Sequence, residues 1–429
     1  LLLPKLSRLH NAFTSYNFYS TEKIKIRKDN KDFMPKEKYD YLIVGGGISG
    51  AFASYAIRKN DKKGGIAIIS SETHLPYDRV PLSKEFVRWE RNFDELFFRK
   101  EGYYRKNGID VLLGHTAVAI DKKKKTVMLD NGSKYHYNKL LIATGGKPRK
   151  LDIAGSGLEG VFYLRTIEDS IAIRQSFPSA KNAIVIGGGF IGCELAASMV
   201  SKGLDVTILE VMPHILGKAI DNKTSEWIKK YHENKGAKVL TGKKAVAIEG
   251  KDGHVSSVKT DDGKILAADI VAVGVGIKLN TDVAENAGIK VENGIHVNER
   301  MQVINEKDIF AAGDIANFYL PLLDRNMRVE HYDVAEKQGT VAGTNMAGGE
   351  ASYNEPPYFF SDQYDLNINA FGDLSHPTKI VTKGEMSNSG FIQYYLEGKK
   401  LAAILAINYD WDKIEEEKEK IGKNQESLL

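Results

Sequence analysis

The hydrophobic and polar positions of this chain change period in an order that occurs twice. Tyr41-Leu42-Ile43-Val44 is a continuous apolar run, followed by a glycine cluster from Gly45 to Gly50 and then by small and apolar residues from Ala51 to Ala56. A short apolar run bounded by glycines reads as a buried strand, and the segment after it as a helix. A second strand, Ile66 to Ile69, follows a short polar loop. The order returns as Ala183 to Ile186, Gly187 to Gly192, a helical Glu194 to Met199, and a strand from Val206 to Leu209. Strands alternating with helices predict parallel sheets, so the class is α/β with two doubly wound units.

Between these units, residues 109 to 142 read as short strands with turns near Lys122 to Lys125 and at Asp130-Asn131-Gly132, ending in Leu140 to Ala143 and Thr144-Gly145-Gly146. Ile309 to Ala312 is a late strand closing on Gly313-Asp314, and Ala335 to Met346 is a small-residue helix suited to close packing. Beyond Pro356-Pro357 the pattern becomes antiparallel: Ile368 to Phe371, Lys379 to Thr382, and Phe391 to Tyr395 paired with Leu401 to Ile407. A charged helix, Asp412 to Lys420, follows.

The glycine spacing carries the chemistry. Gly45, Gly47 and Gly50 fit G-x-G-x-x-G, and so do Gly187, Gly189 and Gly192. The first glycine permits a tight turn, the second lets backbone approach a pyrophosphate, and the third brings helix against strand. The helix N-terminus then offers free N–H groups to the phosphates. An acid about 20 residues on is expected to bind the ribose. Glu72 stands there for the first unit, with Ser71 equally well placed, and Glu210 ends the second strand of the second unit, which closes at Gly274-Val275. A carboxylate at Glu210 repels a 2′-phosphate, so NADH is expected over NADPH. Two dinucleotide sites in one chain imply hydride transfer between two dinucleotides.

Composition narrows this little. The formal charge of +4 over 429 residues does not mark a nucleic-acid binder, and no sequence-specific reading of DNA is expected. The single cysteine, Cys193, excludes a disulfide or thiol pair. No apolar run reaches the 18 or so residues of a transmembrane helix, and no metal site is expected. Residues 1 to 21 carry Lys5 and Arg8 without an acid and are rich in hydroxyls, with Leu2, Leu6, Leu9 and Phe13 at helical spacing, as in an organelle transit peptide. A mitochondrial location is therefore expected, a cytoplasmic one being the alternative. On composition alone, Arg79 and Lys84 in the two-proline loop Leu75 to Lys84 read as surface cations rather than functional groups.

Several linked stretches resemble the FAD-dependent pyridine-nucleotide oxidoreductases: Leu75-Pro76-Tyr77 with Arg79, Pro81-Leu82-Ser83-Lys84, Ala143 to Gly146 with Pro148-Arg149, Gly187 to Glu194, Ala312-Gly313-Asp314, and Arg328-Val329-Glu330-His331. Within that family the chain is similar to the apoptosis-inducing-factor type. The resemblance implies two Rossmann-like domains of the glutathione-reductase type and a C-terminal α+β domain. It places FAD on residues 37–145 and 280–355, NAD on 146–279, and an interface-type domain at 356–429, behind a transit-like segment at 1–36. FAD would lie with its ribose near Glu72, its pyrophosphate near Gly47, Arg79 and Arg149, and its ribityl chain near Asp314, with Thr144 and Gly145 at the turn beside it. Lys84 and Glu194 would pair beside flavin N5, Phe190 would cover the ring until nicotinamide displaces it, and Glu330 and His331 would border the opposite face, His331 setting the environment.

The resemblance also implies a redox-dependent homodimer, a role in mitochondrial maintenance or cell death, and an acceptor the sequence does not name: a quinone, a cytochrome or a small redox protein. Three departures weigh against a full match. Phe360 replaces a tryptophan before Ser361-Asp362, only Met386 to Gly390 stands where a long insertion belongs, and the basic run before Val329 is thinned to Arg325 and Arg328. Two rival readings are a ferredoxin or rubredoxin reductase of an electron-transfer chain, and an NADH-gated binding protein.

Overall fold

The computed structural model describes residues 36–217, 219–387 and 389–426. Residues 1–35, which hold nearly all of the expected transit-like stretch, lie outside them, and Lys38 to Leu429 cluster as one unit. Lys38–Val44 is the central strand of a parallel sheet, flanked by Ile66–Ser70 and Lys134–Ile142, with Ile109–Leu113 outside the former and Ile309–Ala311 outside the latter. The ends of these strands nearest the first glycine turn are buried, Leu42 to Val44, Ile66 to Ser70 and Leu140 to Ile142 among them, which is why they read as apolar runs, while Lys134 to Asn138 alternates exposed and buried. The second unit repeats the order with Lys238–Thr241, Asp205–Glu210, Asn182–Ile186, Ile270–Val273 and Val161–Tyr163, all parallel. Strands Gly146–Pro148 and Ile277–Leu279 pair antiparallel where the chain passes between the two sheets.

The small-residue helix runs Tyr332–Met346 and lies on Ile48–Asn60, the helix after the first glycine turn. A Cβ at Gly339 would overlap the Ser49 carbonyl and one at Gly343 the Ala53 carbonyl, so only glycine allows this approach. The approach fixes the helix whose N-terminus faces the first turn. The lysine-rich tip turns between Ala117–Asp121 and Thr126–Leu129, but it is not simply solvated: Lys122 Nζ lies 2.6 Å from Glu306 and Lys125 Nζ 2.5 Å from Asp308.

The C-terminal sheet has five antiparallel strands, Tyr358–Gln363, Leu366–Gly372, Lys400–Ile407, Phe391–Glu397 and Lys379–Lys383 in spatial order. Its first strand was not legible from the pattern, because the run after Pro356-Pro357 mixes aromatic and polar residues on both faces. Yet this strand reaches furthest into the candidate site. Among the described residues no helix is long and apolar enough to cross a membrane, and no cluster of His, Cys, Asp and Glu could hold a metal ion.

Candidate functional site

Both glycine turns have the same geometry. Gly45 and Gly187 have φ of +126° and +106°, and a Cβ on either would collide with a facing carbonyl, of Ala143 or of Gly274. Gly50 and Gly192 are closed in the same way by the carbonyls of Gly45 and Gly187. The middle glycines differ: a Cβ at Gly47 or at Gly189 would meet nothing within 4 Å. Each turn is thus tight where strand meets helix and open where a phosphate would approach, the shape a dinucleotide requires.

From the first turn a cavity of ≈ 840 Å³ runs past Ser71 and Glu72 at one end to Lys84, Phe190 and His331 at the other. That volume suits one large elongated cofactor. At the first end Glu72 is bound by Arg79 and accepts from the Tyr77 hydroxyl at 2.5 Å. Burial opposes the Glu72 charge, but Arg79 prevails and holds its carboxyl below the usual range. Arg79 also donates to Tyr77 Oη at 2.8 Å and to the Arg165 carbonyl at 2.7 Å, so it is a buried structural partner of Glu72 and not a surface cation. Arg149, expected at the pyrophosphate, donates from Nε to the Ile277 carbonyl at 2.8 Å and does not line the cavity. Arg79, Lys84, Lys147, Lys150 and Arg165 do line it, and Arg165 lies 2.9 Å from Asp314. No motif marked it, since it precedes the Thr166 helix cap without any telling spacing. Thr144 Oγ1 donates to the Asn280 carbonyl at 2.8 Å and, with Gly145, lines the middle of the trough.

At the far end the expected Lys84–Glu194 pair is present but loose, at 4.0 Å. Lys84 lies closer to Asp362, at 2.9 Å, and 4.8 Å from the Phe360 ring centroid. Glu194 accepts from Ser83 Oγ at 2.5 Å and Ser361 Oγ at 2.7 Å. Its carboxyl is pushed up by burial, with Lys84 and the two hydroxyls opposing. Phe190 and His331 pack on Phe359 from different elements, at centroid distances of 4.8 and 4.7 Å. Burial pushes His331 down to about 4, so its imidazole is neutral near pH 7. Glu330 lines the cavity and pairs with Arg328 at 2.6 Å. Cys193 is buried against the Gly188 carbonyl, with its thiol pushed up by burial. It is packing, not a redox group.

The second turn lies outside this cavity except for Phe190 and Ile191. Glu210 is beside it: its Oε2 accepts the Gly188 N–H at 2.6 Å and its Oε1 the Met212 N–H at 2.8 Å. Gly274 meets Gly192 in ordinary contact.

This fold and site define a two-dinucleotide flavoprotein, and the chain belongs to the pyridine nucleotide-disulphide oxidoreductase family, which it matches over residues 39–339; residues 358–421 match the reductase C-terminal family. It is an FAD-dependent NAD(P)H oxidoreductase. It is similar to putidaredoxin reductase of Pseudomonas putida, 31% identical over 86% of this chain and 88% of that one. A rubredoxin-NAD(+) reductase of the same species is 32% identical over 79% and 88%. Among solved structures, the ferredoxin reductase for the CYP199A2 system from Rhodopseudomonas palustris covers 91% of this chain and 96% of its own, at 31% identity and a TM-score of 0.86.

These findings correct the apoptosis-inducing-factor affiliation and the cell-death function drawn from it. Of the motifs behind that expectation, Arg79, Leu82 to Lys84 and Ala312 to Asp314 line the cavity, so they mark the family's shared scaffold and not the acceptor. The three departures noted in the sequence pointed the other way. The similar proteins are bacterial and give the mitochondrial and apoptotic expectations no support; a homodimer and DNA binding are equally without support.

Proposed function

We propose that this chain is an NADH-dependent reductase of a small iron-sulfur protein, a ferredoxin or a rubredoxin, in an electron-transfer chain. The observation that carries the reading is the likeness, over most of both chains, to proteins named for reducing such carriers. The site agrees: with Cys193 buried and alone, no thiol of the chain can take the electrons onward. Bound FAD supplies what side chains cannot, accepting a hydride from nicotinamide and releasing electrons singly.

In this reading residues 37–145 and 280–355 hold FAD, 146–279 hold NADH, and 356–429 close the site. Gly45, Gly47 and Gly50 seat the FAD pyrophosphate at the helix N-terminus. Glu72, fixed by Arg79, receives the ribose, while Asp314 with Arg165, Thr144 and Gly145 hold the chain between. Lys84 keeps a positive charge at the reacting end, where negative charge develops. Glu194 and Asp362 keep that ammonium in place. Phe190 screens the ring from water on one side, and Glu330 and neutral His331 border the other. Gly187, Gly189, Gly192, Gly274 and Glu210 hold NADH.

The test is anaerobic stopped-flow reduction by NADH and NADPH, followed by equal amounts of a ferredoxin, a rubredoxin, a quinone and cytochrome c. Reduction of one iron-sulfur carrier well ahead of the quinone and cytochrome is expected. A reduced enzyme that passes electrons to neither carrier overturns the proposal. Coenzyme choice gives a separate prediction. Glu210→Ala is expected to lower the NADH-to-NADPH ratio of kcat/KM by about 10-fold or more, because the carboxylate that bonds ribose hydroxyls and repels a 2′-phosphate is gone. An unchanged ratio would place coenzyme discrimination elsewhere.

A further inference from the structure

Strand Tyr358–Gln363 alternates strictly, with Phe359, Ser361 and Gln363 buried. From Ser361 and Gln363 a run of hydrogen bonds leaves the site for the helix Asn222–Asn234. Ser361 Oγ is 2.7 Å from Glu194 Oε1, Gln363 Nε2 is 3.1 Å from Ser361 Oγ, and His232 Nε2 is 2.8 Å from Gln363 Oε1. Ser361, Gln363 and His232 are each 0% exposed. None lines the cavity, and the proposed hydride chemistry uses none of them.

The donors and acceptors of this run can be ordered in either of two directions. A carboxylate can only accept, so with Glu194 ionised the Ser361 hydroxyl donates to it. Ser361 Oγ then accepts from the Gln363 amide nitrogen, which turns the amide oxygen toward His232. His232 must then donate from Nε2, leaving Nδ1 bare, and Nδ1 indeed has no partner. With Glu194 protonated on Oε1 and donating to Ser361, the bonds reverse and the Gln363 amide flips, whereas a proton on Oε2 faces Ser83 and leaves the run as it was. In the reversed run the imidazole proton sits on Nδ1, as a buried N–H without an acceptor. An orphaned donor of that kind is rarer in native interiors than an under-used lone pair, and it costs a lost hydrogen bond.

We infer that His232 is a positioning residue for Glu194: its Nε2–H orients a one-way chain of donors, through Gln363 and Ser361, that aims the Ser361 hydroxyl at Glu194 Oε1 and so favours the carboxylate facing Lys84. The consequence for turnover rests on the proposed role of the Lys84–Glu194 pair in hydride transfer. Other groups share this neighbourhood. Lys84 and Asp362 face Glu194, Cys193 precedes it on its own helix, and the Tyr364 ring lies 5.2 Å from His232. Burial pushes His232 down and the Cys193 thiol up, so both are neutral near pH 7.

The experiment uses the FAD-loaded protein. Nitrogen-15 NMR of the histidine rings is expected to show His232 as the neutral Nε2–H tautomer near pH 7, its signal assigned by its loss in His232→Gln. Infrared spectra referenced to Glu194→Gln are expected to show Glu194 as a carboxylate in the parent and in His232→Gln, which keeps a donor. His232→Leu is expected to show a neutral carboxyl C=O band at the same pH and about 10-fold slower reduction by NADH, the loss of one hydrogen bond to a charged group. An Nδ1–H tautomer in the parent overturns the inference without any variant. So does a folded His232→Leu whose Glu194 stays a carboxylate. The expected spectra with an unchanged reduction rate support the chain of donors and overturn instead the role assigned to the Lys84–Glu194 pair.

Discussion

Replacing Lys84 by methionine is expected to slow anaerobic reduction of the bound flavin by NADH by about 100-fold or more, the scale on which removal of one fixed charge-stabilising group is felt in an enzyme site. Glu194→Ala is expected to lose less, about 10-fold, because Asp362 at 2.9 Å still holds the ammonium while Glu194 stands at 4.0 Å. Stability should follow the same order. Without Lys84 the buried Glu194 has only the Ser83 and Ser361 hydroxyls and faces the Asp362 carboxylate. Breaking a buried pair by removing one partner costs about 3–5 kcal/mol.

The pH dependence has a definite sign. Burial already raises the Glu194 carboxyl above its ordinary range, and loss of Lys84 raises it further. The folded variant then keeps a proton that the unfolded chain releases, so its stability falls as pH rises through the interval between the two values. Urea unfolding of parent and variant at pH 5 and pH 8 reads this as a gap that widens at pH 8. A folded, FAD-loaded Lys84→Met that is reduced at the parental rate would remove the lysine from the hydride step.

Lys84 and Glu194 entered through the family resemblance, while Asp362, Arg165 and His232 were given no role from sequence, and the difference is a matter of range. Gly45, Gly47 and Gly50 act through backbone within a few residues, so their spacing is a local signature and it appears twice. The doubly wound sheets follow for the same reason, since each strand is a buried apolar run bounded by glycine or polar turns. Strand Tyr358–Gln363 obeys no such rule. Its buried face carries Phe359, Ser361 and Gln363, and its other face Tyr358, Phe360 and Asp362, so apolar and polar residues fall on both. What sets that composition is the site it closes, some 170 residues away in sequence from Glu194. Arg149 stands in the matching motif, yet its Nε is given to the Ile277 carbonyl. The acceptor was illegible for a further reason, since the recognisable motifs form the two glycine turns and part of the cavity wall, features shared across the family whatever its acceptor.

The two open glycines give the sharpest separation of cofactor binding from folding. A Cβ at Gly47 or Gly189 meets no protein atom within 4 Å, and both residues have φ near −80°, which alanine adopts without strain. Gly47→Ala and Gly189→Ala are therefore expected to leave the stability of the cofactor-free protein within about 0.5 kcal/mol of the parent, as for surface substitutions generally. Each added methyl nevertheless occupies the space into which a pyrophosphate must come to reach the backbone N–H groups. Gly47→Ala is expected to purify depleted of FAD, with FAD affinity reduced by about 100-fold; Gly189→Ala should keep its FAD and its reduction by dithionite but raise the KM for NADH by about as much, each losing charge-assisted hydrogen bonds to phosphate. Gly50→Ala and Gly192→Ala provide the contrast. Their methyls would overlap the carbonyls of Gly45 and Gly187, so the turn itself must open and stability falls with or without cofactor. Bound FAD measured by absorbance, with melting of the stripped proteins, distinguishes the two classes. If Gly47→Ala retains FAD as tightly as the parent, the pyrophosphate does not cross the first turn and the cavity has been assigned to the wrong ligand; if Gly189→Ala leaves the KM for NADH unchanged, the second turn is a structural duplicate without a dinucleotide.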